Sequence, residues 1–207
     1  MALCSPGGRG GNRPNYFGRA HLPVAHNSVG VDTVDVSTVV YLPPAEIYEF
    51  LLDFPRYADY SRHLDEVRQW GDGEAGDTRY DITFSWWKLS YTAVSRVTGV
   101  EPPNRIDWRL VKDIDARGSW QIAPEPESAP SPGTPTTRVR LYIEFAPETA
   151  NVAGLGLPSF VSLDWLIEKV KPKVRTEAER IVERIVADLE GRHRDVDLDI
   201  HTTPDSV

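Results

Sequence analysis

Cysteine is nearly absent. Cys4 stands alone among 207 residues, so no internal disulfide can form, and neither dithiol redox chemistry nor a thiolate metal site is available. No run of about eighteen uncharged apolar residues occurs, and the opening MALCSPGGRGGNRPNY has no apolar core of the kind a secretory signal requires. The expectation is a cytoplasmic chain without stable membrane insertion, and Cys4 lacks the preceding apolar segment that lipid attachment would need. Lysine is scarce as well: only Lys88, Lys112, Lys169, Lys171 and Lys173 occur, so 18 of the 23 basic residues are arginine. With 31 acidic residues the net charge is −8, which speaks against nucleic acid as a partner, since phosphate binding is driven by clustered Lys and Arg. Short carboxylates with few ammonium groups suit concentrated salt, where screening removes self-repulsion. We read a halophilic composition; an arginine-preferring, GC-rich genome is the alternative.

The core is ample for one domain, with 40% apolar and 10% aromatic residues. Residues 1–29 are rich in Gly, Arg, Asn and Pro without periodicity, and are expected to be a disordered tail or the product of a start codon assigned too early. Residues 30–190 carry the domain. Val34 to Leu42 reads as a strand stopped by Pro43-Pro44, and PAEIYEFLLDF as a helix with Ile47, Phe50, Leu51 and Phe54 in phase. RYADYSRHL adds a short second helical turn. The period then becomes alternating: Glu66–Trp70, the glycine hairpin GDGEAGD, a strand with Tyr80, Ile82, Phe84 and Trp86 on one face, and Leu89–Val100. Further strands carry Ile106, Trp108 and Leu110, then Trp120 and Ile122, then Val139, Leu141, Ile143 and Phe145, with a Pro/Ser-rich loop over 124–135. Short turns between neighbours predict an antiparallel meander. From Leu163 to Glu190 the period returns to 3.6, predicting one amphipathic helix on the order of 40 Å long, kinked at Pro172. Residues 191–207 read as a C-terminal tail in which Val196, Leu198 and Ile200 alternate as in an edge strand.

This order gives an α+β protein in which a curved antiparallel sheet wraps a long C-terminal helix, with a cavity between them. The segment VSTVVYLPPAEIYEFLLDFPRYADY resembles the entry of the SRPBCC or START-like superfamily, and GSWQIAP resembles its Gly-x-Trp-x-hydrophobic strand. The polyketide cyclase/dehydrase and coenzyme Q-binding branches are the most similar, over roughly residues 31–190. The resemblance implies a helix-grip fold whose apolar cavity takes a hydrophobic small molecule such as a lipid, isoprenoid quinone or polyketide. It carries no universal catalytic signature.

The expected ligand-binding set is Tyr57, Tyr60, Tyr80, Phe84, Trp86, Tyr91, Trp108, Trp120, Leu166 and Val170. Aromatic rings on successive strands read first as core, and alternatively as a pocket wall. Trp86 and Trp87 point to opposite faces of a regular strand. Tyr57, Tyr60 and His63 are placed at the cavity rim, where Tyr60 or His63 would be the general acid or base of a cyclase or dehydratase; as a carrier the protein would need no catalytic residue. The loop Asn151–Phe160 is the expected gate. Asp113, Asp115 and Arg117, and Asp107 with Arg109, read as cross-strand ion pairs, with catalytic carboxylates as the alternative. No Gly-x-Ser-x-Gly elbow occurs, GLGLPS lacks a dinucleotide loop's third glycine, GDGEAGD lacks calcium-loop spacing, and the five histidines make no helical pair. No metal or cofactor is indicated. A third function class, a protein-interaction module, remains open at this level.

Overall fold

The β-branched run Asp32–Val40 forms strand β1, and Pro44 sits in the first turn of helix α1 (Pro44–Leu52), where its missing N–H breaks no helical bond. The computed structural model describes residues 31–71, 78–86, 89–151 and 163–202, with side chains described for all of these except 86, 89 and 163–175. A 3-10 segment, Phe54–Asp59, follows α1. Six strands come next: β2 (Leu64–Trp70), β3 (Arg79–Trp86), β4 (Leu89–Glu101), β5 (Arg105–Leu110), β6 (Asp115–Pro124) and β7 (Thr137–Ala146). Helix α2 runs from Leu163 to Glu190, with Pro172 inside it, and Gly191 at φ +66° supplies the left-handed residue that closes a helix. Strand β8 (Asp199–Thr202) follows.

All strands join one antiparallel sheet in the order β2-β3-β4-β5-β6-β7-β1-β8. The meander from β2 to β7 is the predicted one, and β1 enters between β7 and β8. The segment beyond α2 is tied down as well as paired: Thr38 Oγ1 donates to Asp197 O at 2.8 Å, and Arg138 Nη1 to Asp199 Oδ2 at 2.8 Å.

Register assigns the two faces, because residues opposite one another share a face. Val36, Leu141, Trp120, Ile106 and Val100 form one cross-strand row, and Val34, Ile143, Gly118, Trp108 and Val97 the next. This is the inner face. Ile106, Val97, Ile122 and Val139 pack there against Ile47, Phe50 and Leu51 of α1 and Val186 of α2. The outer face is polar, held by ion pairs such as Arg140–Asp35, with Nε to Oδ1 at 2.7 Å.

Candidate functional site

Among the described residues the inner face is sealed at one end and only partly covered at the other. Ile106 (0% exposed), Val97 (1%), Ile122 (2%) and Tyr80 (1%) are sealed under α1 and the C-terminal turns of α2. Yet Val34, Val36, Trp108, Leu110, Trp120, Leu141 and Ile143, on the same face, are only partly buried, and Phe84 is 43% exposed. A protein core packs to crystal-like density. Apolar side chains on the core side of a sheet that the other described residues leave partly in reach of solvent mark a strip that we take as the candidate site.

A glycine shapes its wall. Gly118 lies opposite Trp108, and a Cβ there would stand 2.4 Å from Trp108 Cζ2 and 2.6 Å from the Tyr142 carbonyl oxygen. The indole occupies the volume a side chain at 118 would take, which explains the glycine of the Gly-x-Trp pattern. Polar groups on this face are few. Asp32, opposite Phe145, keeps one buried carboxylate oxygen with no hydrogen-bond partner among the described residues. Tyr91, opposite Phe84, donates its hydroxyl to Asp113 Oδ2 at 3.2 Å. Burial, and then the Asp113 carboxylate, push the Tyr91 phenol up to about 12.

The structure brings Tyr80, Phe84, Tyr91, Trp108 and Trp120 onto the one inner face. Tyr80 belongs to its sealed end, its ring stacked on Phe54 with centroids 4.5 Å apart. Tyr57 and Tyr60 are not rim residues. Tyr60 is 7% exposed, packs edge-on against Phe50 at 5.6 Å, and donates its hydroxyl to Asp188 Oδ2 of α2 at 2.6 Å. Tyr57 donates to the Leu51 carbonyl, and burial raises its phenol pKa. The 3-10 segment turns Tyr60 against α2, where its hydroxyl ties the segment to that helix, while the Tyr57 ring packs on Phe50 and Phe54 and its hydroxyl bonds back to α1. Burial and the Asp188 carboxylate push Tyr60 up to about 12. Arg56 Nη2 completes the cluster at 2.5 Å from the same Asp188 oxygen. His63 lies just before β2, its Nε2 3.3 Å from Arg62 Nε and its carbonyl accepting from Ser85 N at 2.9 Å. The side chains of Trp86, Leu166 and Val170 lie outside the described residues, as do Trp87, the GDGEAGD turn over 72–77 and the expected gate over 152–160. Sequence reasoning singled out Gly118 only as part of the Gly-x-Trp pattern, and missed Asp32 and the Tyr60–Asp188–Arg56 cluster, whose partners lie far apart along the chain. Among the described residues no group of three or more His, Cys, Asp or Glu is arranged to hold a metal.

The expected pairings of Asp107 with Arg109 and of Asp113 or Asp115 with Arg117 do not form among the described residues, because other partners lie nearer. Asp107 pairs within its own strand with Arg105 at 2.8 Å, and Arg117 pairs across strands with Glu144 at 2.5 Å.

Comparison with known proteins matches this geometry. The model of a family described as polyketide cyclase / dehydrase and lipid transport matches residues 32–186. None of the curated proteins matches. Among solved structures, the ZhuI aromatase/cyclase from Streptomyces sp. R1128 superposes with a TM-score of 0.58 at 18% identity, over 78% of this chain and 94% of that one. The protein TTHA0849 from Thermus thermophilus gives 0.52 at 17% identity, over 77% and 97%. Norcoclaurine synthase from Thalictrum flavum, in complex with dopamine and hydroxybenzaldehyde, gives 0.51 at 13% identity, over 80% and 89%. At these identities the likeness is one of fold.

Proposed function

The chain belongs to the polyketide cyclase/dehydrase and lipid transport family of SRPBCC-type helix-grip proteins, and from that membership we propose that it binds or carries a hydrophobic small molecule on its inner face. The fold is one for hydrophobic ligands. The observation that carries the reading is the half-open strip of Val34, Val36, Trp108, Trp120, Leu141 and Ile143 beside a sealed core. Burying ligand apolar area there contributes roughly 25 cal/mol per Å² before the cost of association. A flat or elongated oily body suits the aliphatic and indole walls, and the unpartnered Asp32 oxygen offers one acceptor to a ligand hydroxyl. A lipid, an isoprenoid quinone or a polyketide-like ring system meets this description. The setting we infer is cytoplasmic, with a surface composed for concentrated salt.

The test uses a neutral probe, N-phenyl-1-naphthylamine, with extraction and mass spectrometry of the purified protein. Leu141→Arg puts a charge in the strip and is expected to weaken probe binding at least tenfold. Saturable probe binding that survives Leu141→Arg, or its absence together with an empty extract, refutes the reading.

A second reading, a cyclase or dehydratase working in the same space, rests on Tyr91. Its phenol, held protonated at neutral pH, is a proton donor on the inner face rather than a base. Tyr91→Phe would then abolish turnover of a poly-β-ketone thioester while leaving probe affinity within twofold. Equal turnover by the variant excludes Tyr91 from the chemistry.

A further inference from the structure

The outer face carries a row that hairpin register alone creates. Trp70 lies opposite Arg79, Arg79 opposite Arg96, Arg96 opposite Arg109, and Arg109 opposite Arg117, so one aromatic and four arginines cross five consecutive strands in line. Like charges directly opposite each other destabilise a sheet, so folding does not reward this arrangement. The ends of the arginine row are neutralised, Arg79 by Asp81 at 2.8 Å and Arg117 by Glu144 at 2.5 Å. The centre is not. Among the described residues neither Arg96 nor Arg109 has a carboxylate partner, and Arg96 Nε is buried without a hydrogen bond. Trp70 is 56% exposed, and Val111, two residues beyond Arg109, is 43% exposed.

We propose that this row is a docking site for an acidic amphipathic helix of a protein partner. Tryptophan and arginine are the residue types that dominate interface energetics. Adjacent strands are about 4.8 Å apart, and a helix advances about 5.4 Å per turn. Carboxylates one turn apart on a helix laid across the strands therefore fall opposite successive arginines, with Arg96 and Arg109 taking the central pair. Trp70 at one end and Val111 beside the centre give such a helix apolar footholds. In a chain of net charge −8, a local cationic row also fixes where an acidic partner approaches and in which orientation. The fork of each guanidinium pairs a carboxylate through two donors, which lysine cannot do.

The experiment is fluorescence anisotropy of a labelled alanine-based helical peptide bearing Glu at one-turn spacing and a terminal Leu, at low salt, with the Glu→Gln peptide as control. The full-length protein is expected to bind the Glu peptide and not the Gln peptide. Arg96→Ser with Arg109→Ser should weaken binding at least tenfold and Trp70→Ala severalfold, while Arg96→Lys with Arg109→Lys keeps part of it. Because the double serine variant relieves like-charge repulsion, its melting temperature should hold or rise, and its affinity for N-phenyl-1-naphthylamine should not change. No binding of the Glu peptide, equal binding of both peptides, or an affinity indifferent to Arg96 and Arg109 overturns the proposal. So does tighter, equally arginine-dependent binding of duplex DNA or phosphatidylglycerol vesicles, which would make the row a general polyanion surface.

Discussion

Replacing Gly118 by alanine tests how the candidate site is built. The new Cβ would meet Trp108 at 2.4 Å (Cζ2) and 2.8 Å (Cε2), and the Tyr142 carbonyl at 2.6 Å. The indole can yield by rotating about its side-chain bonds. The carbonyl cannot, since Gly118 is registered between Trp108 on β5 and Ile143 on β7. Overpacking of this kind costs about 1–3 kcal/mol, while exchanging glycine for alanine in a strand returns about 0.5–1 kcal/mol of backbone entropy. The mid-range balance is a loss of about 1 kcal/mol, which in a domain of this size lowers the melting temperature by roughly 2–4 °C. Thermal unfolding followed by tryptophan emission reads both the stability and the environment of the displaced ring. The stronger measurement is a double-mutant cycle with Trp108→Ala. Once the indole is gone only the carbonyl clash remains, so Gly118→Ala should then cost less, with a coupling of at least about 0.5 kcal/mol. A Gly118→Ala protein as stable as the parent, or one equally destabilised in both backgrounds, refutes the view that the indole claims this space.

Acid should destabilise the fold through the outer-face pairs. Asp35 is held below the usual carboxylate range by its hydrogen bonds from Arg140, Glu125 by Arg138, and Glu144 by Tyr142 and Arg117. A carboxylate whose folded pKa is depressed contributes its full stability above the unfolded value, near about 4, and loses it as pH falls through the lower folded value. Urea midpoints should thus be level from pH 7 to 5 and drop below about pH 4, with a shallower drop in Asp35→Asn; a flat profile to pH 2.5 contradicts the assignment. Tyr60→Phe removes the donor that contributes most to lowering the Asp188 pKa, so the Asp188 carboxyl should titrate higher by NMR while probe binding on the inner face is kept; a loss of probe binding would return Tyr60 to the ligand site.

Most of the fold was legible because its signals are local and periodic. Leu163 to Glu190 repeats every 3.6 residues and ends at a glycine, and Val139 to Phe145 alternates, so both elements were readable without knowing what they touch. The site was legible only where alternation decides the face, as for Tyr80, Phe84, Tyr91, Trp108 and Trp120. Phe54–Asp59 is too short and too tightly wound for an apolar stripe to show, and the fate of Tyr60 depends on Asp188, 128 residues away. The arginine row makes the same point more strictly. Its members are separated by 17, 13 and 8 residues, intervals that mean nothing until three hairpins and a bulge between Val97 and Gly99 set the register. What a strand shows to its own face is written in a period of two. What a sheet shows across its strands is written in turn lengths, so long-range polar arrangements, including any that recognise a partner, are the features for which coordinates add the most.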